Sequence, residues 1–232
     1  MLEGLRLCQD ALEKGAAVQE VFLAEGLEQT PEGRALLARA PGCLLGRAAA
    51  EKIAQTSHSQ GVFALCRMPK PLRWEPKAAG RYLICCSLQD PGNLGTILRT
   101  AAALGMDGLF LTEDCPDLYS PKVLRASMGG VFSLPVRRCP DAFAAIDSCR
   151  RAHLTVLAAA LHRDAVPLPQ CRLEGACVVI GNEGRGLPPA VTEACDGTVI
   201  IPMRPGEESL NAAMAAGILM WEMCRGGGLS HG

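Results

Sequence analysis

Two short apolar runs near the C-terminal end constrain this chain more than any other feature. Residues 176–180 read Ala-Cys-Val-Val-Ile and residues 198–201 read Thr-Val-Ile-Ile. Both are rich in β-branched residues and neither alternates, the pattern of strands buried on both faces. Each run opens into a polar loop, and each loop leads into a helical pattern. The first loop is Gly181-Asn182-Glu183-Gly184-Arg185-Gly186; the second covers 202–209, ahead of a helix expected at 210–224. Strand, loop and helix in succession call for a mostly parallel sheet covered by helices. In such sheets ligands bind beyond the carboxyl ends of the strands, and glycines let the backbone come close to them. Taken singly, either loop is equally well an ordinary strand-to-helix turn. The first lacks the G-x-G-x-x-G spacing of a dinucleotide site, and no Lys-Ser/Thr pair makes a phosphate loop.

The same alternation extends upstream. Strands are expected at 82–87, 108–111, 131–136 and 154–160, with helices at 93–104, 121–126, 142–151 and 188–194. Residues 82–232 therefore form one α/β unit. Residues 1–70 form a smaller one, with helices at 2–14, 31–39 and 51–55 and strands at 18–23 and 61–66. Between them, 71–81 is a linker stiffened by proline. The wider stretch 67–81 sets Arg67, Lys70, Arg73, Lys77 and Arg81 against the single acid Glu75. It is either a solvated connector or a basic strip that meets a phosphate backbone. Trp74 within it can stack on a base or pack a domain junction.

Composition removes several classes of function. With 232 residues and 49% of them hydrophobic, the chain can build a sizeable core. A formal net charge of −1 excludes a uniformly basic nucleic-acid binder. Twelve cysteines occur without a C-x-x-C pair or a leader-like segment. They read as reduced core residues of a cytoplasmic protein. The four histidines are scattered, so no metal site is expected. No apolar run is long enough to span a membrane.

A third stretch follows the strand at 82–87: Leu88-Gln-Asp-Pro-Gly-Asn-Leu-Gly-Thr-Ile-Leu-Arg-Thr-Ala-Ala-Ala-Leu-Gly105. Pro91-Gly92 makes a turn and Asn93 stands where the helix begins, as an N-cap would. Arg99 follows among Thr96, Ile97, Leu98 and Ala101. Alone, it reads as a surface charge on an amphipathic helix. Between this stretch and the C-terminal loops, Ser127-Met128-Gly129-Gly130 reads as a helix end.

The three stretches together, DPGNLGTILRTAAALG, VIGNEGRGL and IPMRPGEESLNAAMAAGIL, closely resemble the three motifs of the SpoU (TrmH-like) family of the SPOUT superfamily of RNA methyltransferases. The intervening KVLRASMGGVFSLPV fits the same pattern, and the resemblance covers 82–225 in order. The first unit is similar to the small substrate-binding domain of many members. Its opening Leu2-Glu-Gly-Leu-Arg6 resembles an internal segment of that domain, so the usual first strand is expected to be missing. The resemblance implies a trefoil-knotted, mostly parallel catalytic domain and S-adenosylmethionine as cofactor. It also implies methylation of a ribose 2′-hydroxyl of ribosomal or transfer RNA by a homodimer packed through the catalytic domains. For that dimer, Leu210, Ala213, Met214, Gly217, Trp221 and Cys224 lie on neighbouring rows of the last helix.

The resemblance also assigns residues. Arg99 would stand beside the acceptor hydroxyl. A guanidinium with a pKa above ~12 is a poor base. Orientation of a phosphate or ribose oxygen and stabilisation of the developing alkoxide suit it better, with proton abstraction by a transiently neutral Arg99 left open. Asn93 and Glu183 would position Arg99 and the RNA, and Ser209 and Asn211 would shape the site. Gly181, Ile201 and Leu210 match the adenosine-site positions, with Asn182, Gly184, Met203 and Ser209 alongside. Arg67, Lys70 and Arg73 would meet RNA. No metal is required, because a sulfonium is already an activated electrophile. Two other readings are a non-catalytic knotted RNA-binding module and a nucleotide-dependent oxidoreductase on a doubly wound sheet. The intact polar set argues against the first, and the missing G-x-G-x-x-G against the second.

Overall fold

A computed structural model describes residues 1–69, 74–204, 206 and 209–225. Among these residues the chain forms two sheets. The first contains β1 (Leu2–Glu3), β2 (Val18–Ala24), β3 (Gly42–Leu45) and β4 (Val62–Cys66) in the order β1-β4-β2-β3. β4 runs antiparallel to β1 and β2, while β3 lies parallel to β2. Three helices accompany it: α1 (Leu5–Glu13), α2 (Pro31–Leu37) and α3 (Arg47–Ile53). α1 buries Leu7, Cys8 and Ala11 in the same core as Val21 and Leu23 of β2, the face its helical spacing requires. Thr30 caps α2, its hydroxyl accepting from Gly33 N–H at 3.0 Å, with Pro31 at the first helical position.

The helix expected from residue 2 begins instead at Leu5. Leu2 and Glu3 pair with Ala64 and Phe63, and Gly4 at φ 106° turns the chain from strand into helix. A left-handed residue at that point is incompatible with a continuous helix. β3 carried no visible signal. It is an exposed edge strand, Gly-Cys-Leu-Leu, with no apolar-polar alternation.

The second sheet has seven strands: β5 (Tyr82–Cys85), β6 (Gly108–Thr112), β7 (Val136–Cys139), β8 (Thr155–Ala159), β9 (Val166–Pro167), β10 (Ala176–Ile180) and β11 (Gly197–Ile200). Their order is β7-β6-β5-β10-β8-β11-β9 and every pairing is parallel. β10 therefore lies between β5 and β8 and is buried along its whole length, which explains its unbroken apolar run. α4 (Pro91–Ala103), α5 (Pro121–Ser127) and α8 (Ala212–Cys224) cover one face. α6 (Ala142–Arg151) and α7 (Pro189–Glu193) cover the other. Successive strand residues divide between the two layers, as the period of two demands: Leu83 and Val178 face the first, Ile84 and Val179 the second.

The strand expected at 131–136 is not formed there. Met128 and Gly129 both take left-handed conformations, and Gly130–Phe132 makes a 3-10 turn. Pairing starts only at Val136, after Pro135, whose carbonyl accepts from Leu109 N–H at 2.9 Å. The apolar residues Val131 and Leu134 are buried in the core beside α4 rather than in a ladder. Burial produced the pattern that resembled a strand. β9, a two-residue edge strand, also went unseen because Pro167 contradicts strand composition.

Trp74 packs onto the second sheet. Its ring stacks on Tyr82 at 5.6 Å and lies 4.9 Å from Phe110. Gly108 makes room for it, since a Cβ there would fall 2.5 Å from the indole. Arg81 pairs with Asp107 at 3.6 Å and donates to Gly105 O, so it turns back onto its own unit. Arg67 is exposed at the end of β4. Lys70 and Arg73 lie outside the described residues.

Candidate active site

β5 and β10 are adjacent and parallel, so their carboxyl ends deliver two loops to one place. The β10 loop is closed on itself. Asn182 N–H donates to Gly186 O at 3.0 Å, and Gly186 N–H returns to Asn182 O at 2.9 Å. Gly181 must be glycine for this closure, because a Cβ would fall 2.3 Å from the Gly186 carbonyl carbon. The Asn182 side chain then joins the loops. Its Oδ1 accepts from Gly184 and Arg185 N–H at 2.9 and 3.0 Å, and its Nδ2 donates to Ser87 O at 2.8 Å. Ser87 sits at φ 57° with its N–H on Thr112 Oγ1 at 2.9 Å.

The β5 loop starts α4 earlier than expected. Asp90, not Asn93, is the N-cap: its Oδ1 accepts from Gly92 and Asn93 N–H at 2.5 and 3.0 Å. Pro91 fills the first helical position, where its missing N–H costs nothing. The Asn93 side chain is thereby released for another role. Its Nδ2 donates to Glu183 Oε1 at 3.0 Å, and its Oδ1 accepts from Asn211 Nδ2 at 2.9 Å. Asn211 caps α8, its Oδ1 accepting from Ala213 and Met214 N–H at 2.9 and 3.2 Å. This cap explains why α8 begins at Ala212 rather than at residue 210. Because Asn211 Oδ1 must accept, its amide must donate to Asn93, and Asn93 must then donate to Glu183. The direction of the whole relay follows from one helix cap.

Glu183 also accepts from Gln89 N–H at 3.0 Å through Oε2 and from Asp90 N–H at 3.1 Å through Oε1. Burial alone would raise its pKa. The Asn93 amide and the Asp90 and Gln89 backbone donors outweigh burial and hold it below the usual value. A carboxylate so saturated is an anchor and a weak proton acceptor. Lys122 lies 3.1 Å from Asp90 Oδ2 and, with the Asn93 and Gly92 amides, lowers the Asp90 pKa as well.

These groups line an open cleft of about 700 Å³. It brings together Asn93, Asn182, Glu183, Gly184, Ser209, Leu210 and Asn211 from the three motifs. Gly181, Ile201 and Met203 are not in its wall. Gly181 and Ile201 follow the ends of β10 and β11, strands that flank β8. Arg99 is also outside the wall; it is exposed on α4, one turn beyond Thr96, which lines the cleft. Among the described residues no cluster of three His, Cys, Asp or Glu could hold a metal ion. Sequence reasoning missed Asp90, Gln89 and Lys122. The Asp-Pro pair was a readable N-cap signal for Asp90. Gln89 contributes a backbone amide and Lys122 arrives from α5, so neither carried one.

The description "SpoU rRNA Methylase family" matches residues 80–221, and "MRM3-like substrate binding domain" matches residues 1–64. The chain belongs to the SpoU rRNA methylase family. It is 30% identical to a 23S rRNA guanosine 2′-O-methyltransferase of Bacillus subtilis, with 96% of this chain and 87% of that protein aligned. An uncharacterised tRNA/rRNA methyltransferase of Synechocystis is 35% identical over 97% of this chain and 83% of its own length. Among solved structures, the SpoU methyltransferase AviRb of Streptomyces viridochromogenes, in complex with the cofactor AdoMet, superposes with a TM-score of 0.86 at 30% identity. That match covers 97% of this chain and 89% of AviRb. The motif residues of this SpoU chain are thus held in a fold shared over nearly its full length.

Proposed function

We propose that this chain transfers a methyl group from S-adenosylmethionine to a ribose 2′-hydroxyl of ribosomal or transfer RNA. The observation that carries the reading is the Glu183–Asn93–Asn211 relay, which binds the three motifs into one cleft. The non-catalytic reading loses ground because the full-length relatives are named as methyltransferases and the polar set is complete. An oxidoreductase is likewise disfavoured.

The residues present suit the cofactor. The closed 181–186 loop, tied to the β5 loop through Asn182, presents its backbone at the carboxyl end of β10. Asn182 and Gly184 lie on it and Ser209 and Leu210 line the same cleft; Met203 is assigned with them, and Ile201 and Leu210 are assigned as apolar surface for an adenine. When bound, S-adenosylmethionine supplies an electrophilic methyl group on a sulfonium. The chain must then align the acceptor and stabilise its developing negative charge. Arg99, exposed one turn beyond the cleft wall, is the group assigned to the acceptor oxygen. Glu183 is assigned as an anchor, since three donors already occupy its carboxylate.

The substrate-binding unit is assigned to residues 1–70, the linker to 71–81 and the transfer unit, with its trefoil knot, to 82–232. Arg67, Lys70 and Arg73 are assigned to RNA. A homodimer is supported by an unpartnered apolar row on α8: Met214, Ile218 and Trp221 are 61, 37 and 53% exposed, with Leu210, 40% exposed, just ahead of the helix. The row differs from the expected one. Ala213 and Cys224 are buried within their own chain, and Ile218 takes their place. All twelve cysteines are unpaired, which supports a reducing, cytoplasmic location. Among the described residues no helix is long and apolar enough to cross a membrane. The test is methyl transfer from labelled S-adenosylmethionine to ribosomal RNA and, separately, transfer RNA isolated from cells lacking the gene, with nuclease mapping of the product. Label on a base, or none on RNA, overturns the reading.

A further inference from the structure

The two units touch at a point that the reaction as described does not use. Asp10 of α1 is a carboxylate only 2% exposed, paired with Arg6 at 3.1 Å. It faces Gly129, where an added Cβ would fall 2.6 Å from Asp10 Oδ2. One turn on, Lys14 Nζ donates to Gly129 O at 2.9 Å. The first unit thus meets the turn at Gly129 with two side chains from one face of α1. That turn is strained: Met128, which has a side chain, sits at φ 45° beside Gly129 at φ 74°. A non-glycine residue holds such a conformation when its surroundings impose it.

The far side of the same turn rests on α4. A Cβ at Gly130 would fall 2.9 Å from Leu98 O, 3.0 Å from Arg99 Cα and 3.1 Å from Arg99 N. Nothing but bare backbone therefore separates this turn from the backbone of Arg99. We propose that Asp10 and Lys14 are positioning residues for Arg99, holding the 128–130 turn against α4 so that the seating of the first unit sets where the guanidinium stands. The proposal rests on the reading of Arg99 at the acceptor oxygen. Small displacements of a group that acts on the reacting atoms cost rate steeply, so a contact that leaves the cleft intact can still control turnover.

The experiment uses the full chain, labelled S-adenosylmethionine and ribosomal RNA from cells lacking the gene. Lys14→Met removes the donor and keeps the stem; Lys14→Arg keeps a cationic donor. At saturating RNA, Lys14→Met should lower the single-turnover rate about tenfold, leave the RNA KM and cofactor affinity within about twofold, and be rescued by Lys14→Arg. In an Arg99→Ala background Lys14→Met should cost nothing further. Native-state amide exchange should quicken at 98–99 and 128–130 in Lys14→Met, a readout independent of any change in melting temperature. A raised RNA KM with a normal saturating rate would make Lys14 a phosphate contact and overturn the proposal. An equal fractional loss with and without Arg99, or unchanged exchange at the turn, would do the same. Near-normal turnover by Arg99→Ala alone would instead overturn the underlying reading of Arg99, so the two failures are told apart.

Discussion

Replacing Glu183 by Gln tests the relay with almost no change of shape. The carboxylate accepts from Gln89 N–H, Asp90 N–H and Asn93 Nδ2, two of them on Oε1. An amide can keep the Oε1 pair only by placing its carbonyl there, and its NH₂ then faces the Gln89 N–H, donor against donor. One hydrogen bond is lost outright and two lose their charge assistance. At roughly 1 kcal/mol for the first and a few tenths for each of the others, the sum is about 1.5–2 kcal/mol. For a chain of this size that lowers Tm by roughly 3–8 °C. The pH dependence carries a sign. The folded-state pKa of Glu183 lies below its ordinary 4.5. Its stabilisation is therefore fully present above that ordinary value and disappears as pH falls through the folded-state value. The stability gap between wild type and Glu183→Gln should stay constant from neutral pH down to about 5.5 and narrow below 4.5. Methyl transfer should fall roughly 10- to 100-fold, because Asn93 and Asn211 lose their anchor. Denaturant melts at stepped pH, with single-turnover transfer at pH 7.5, measure both. A gap that persists unchanged to pH 3, or a variant of normal Tm and turnover, refutes the relay.

Arg99→Ala should lower turnover roughly 10²–10³-fold with cofactor affinity unchanged, and Arg99→Lys should recover little, because a point charge cannot reproduce a planar fork; single-turnover transfer and calorimetry read the two effects. Gly181→Ala forces a Cβ to within 2.5 Å of Leu187 N as well as Gly186 O. It should open the loop, cost about 1–3 kcal/mol and weaken S-adenosylmethionine binding by at least tenfold in calorimetry. Trp221→Glu places a charge in the exposed α8 row and should convert a sedimenting dimer to monomer at micromolar concentration without loss of Tm.

The central strands were legible because burial on both faces leaves a mark in composition. β5, β6 and β10 are each buried throughout, and their apolar runs could be read nearly to the residue. Helix ends that depend on local chemistry were legible in principle: Thr30-Pro31 and Asp90-Pro91 carry their caps beside them. Edge elements were not. Nothing in Gly-Cys-Leu-Leu distinguishes an exposed strand from a loop, and β9 contains a proline. The apolar residues Val131 and Leu134 misled for the converse reason, since packing against α4 demands the same residues as a strand does.

The candidate site divides in the same way. The sequence by itself determined which residue types were available: a Gly-rich loop, an Arg on a helix after a strand, and an Asn opening the last helix. Their order sufficed to suggest a family. Tertiary structure alone decided that Glu183 and Asn93, ninety residues apart, share a hydrogen bond, because only the insertion of β10 between β5 and β8 brings their loops together. It also decided that Asn93 is no cap and that Asp10 reaches Gly129. Local periodicity records which face of an element is buried. It holds no record of which loop, over a hundred residues away, will meet it there.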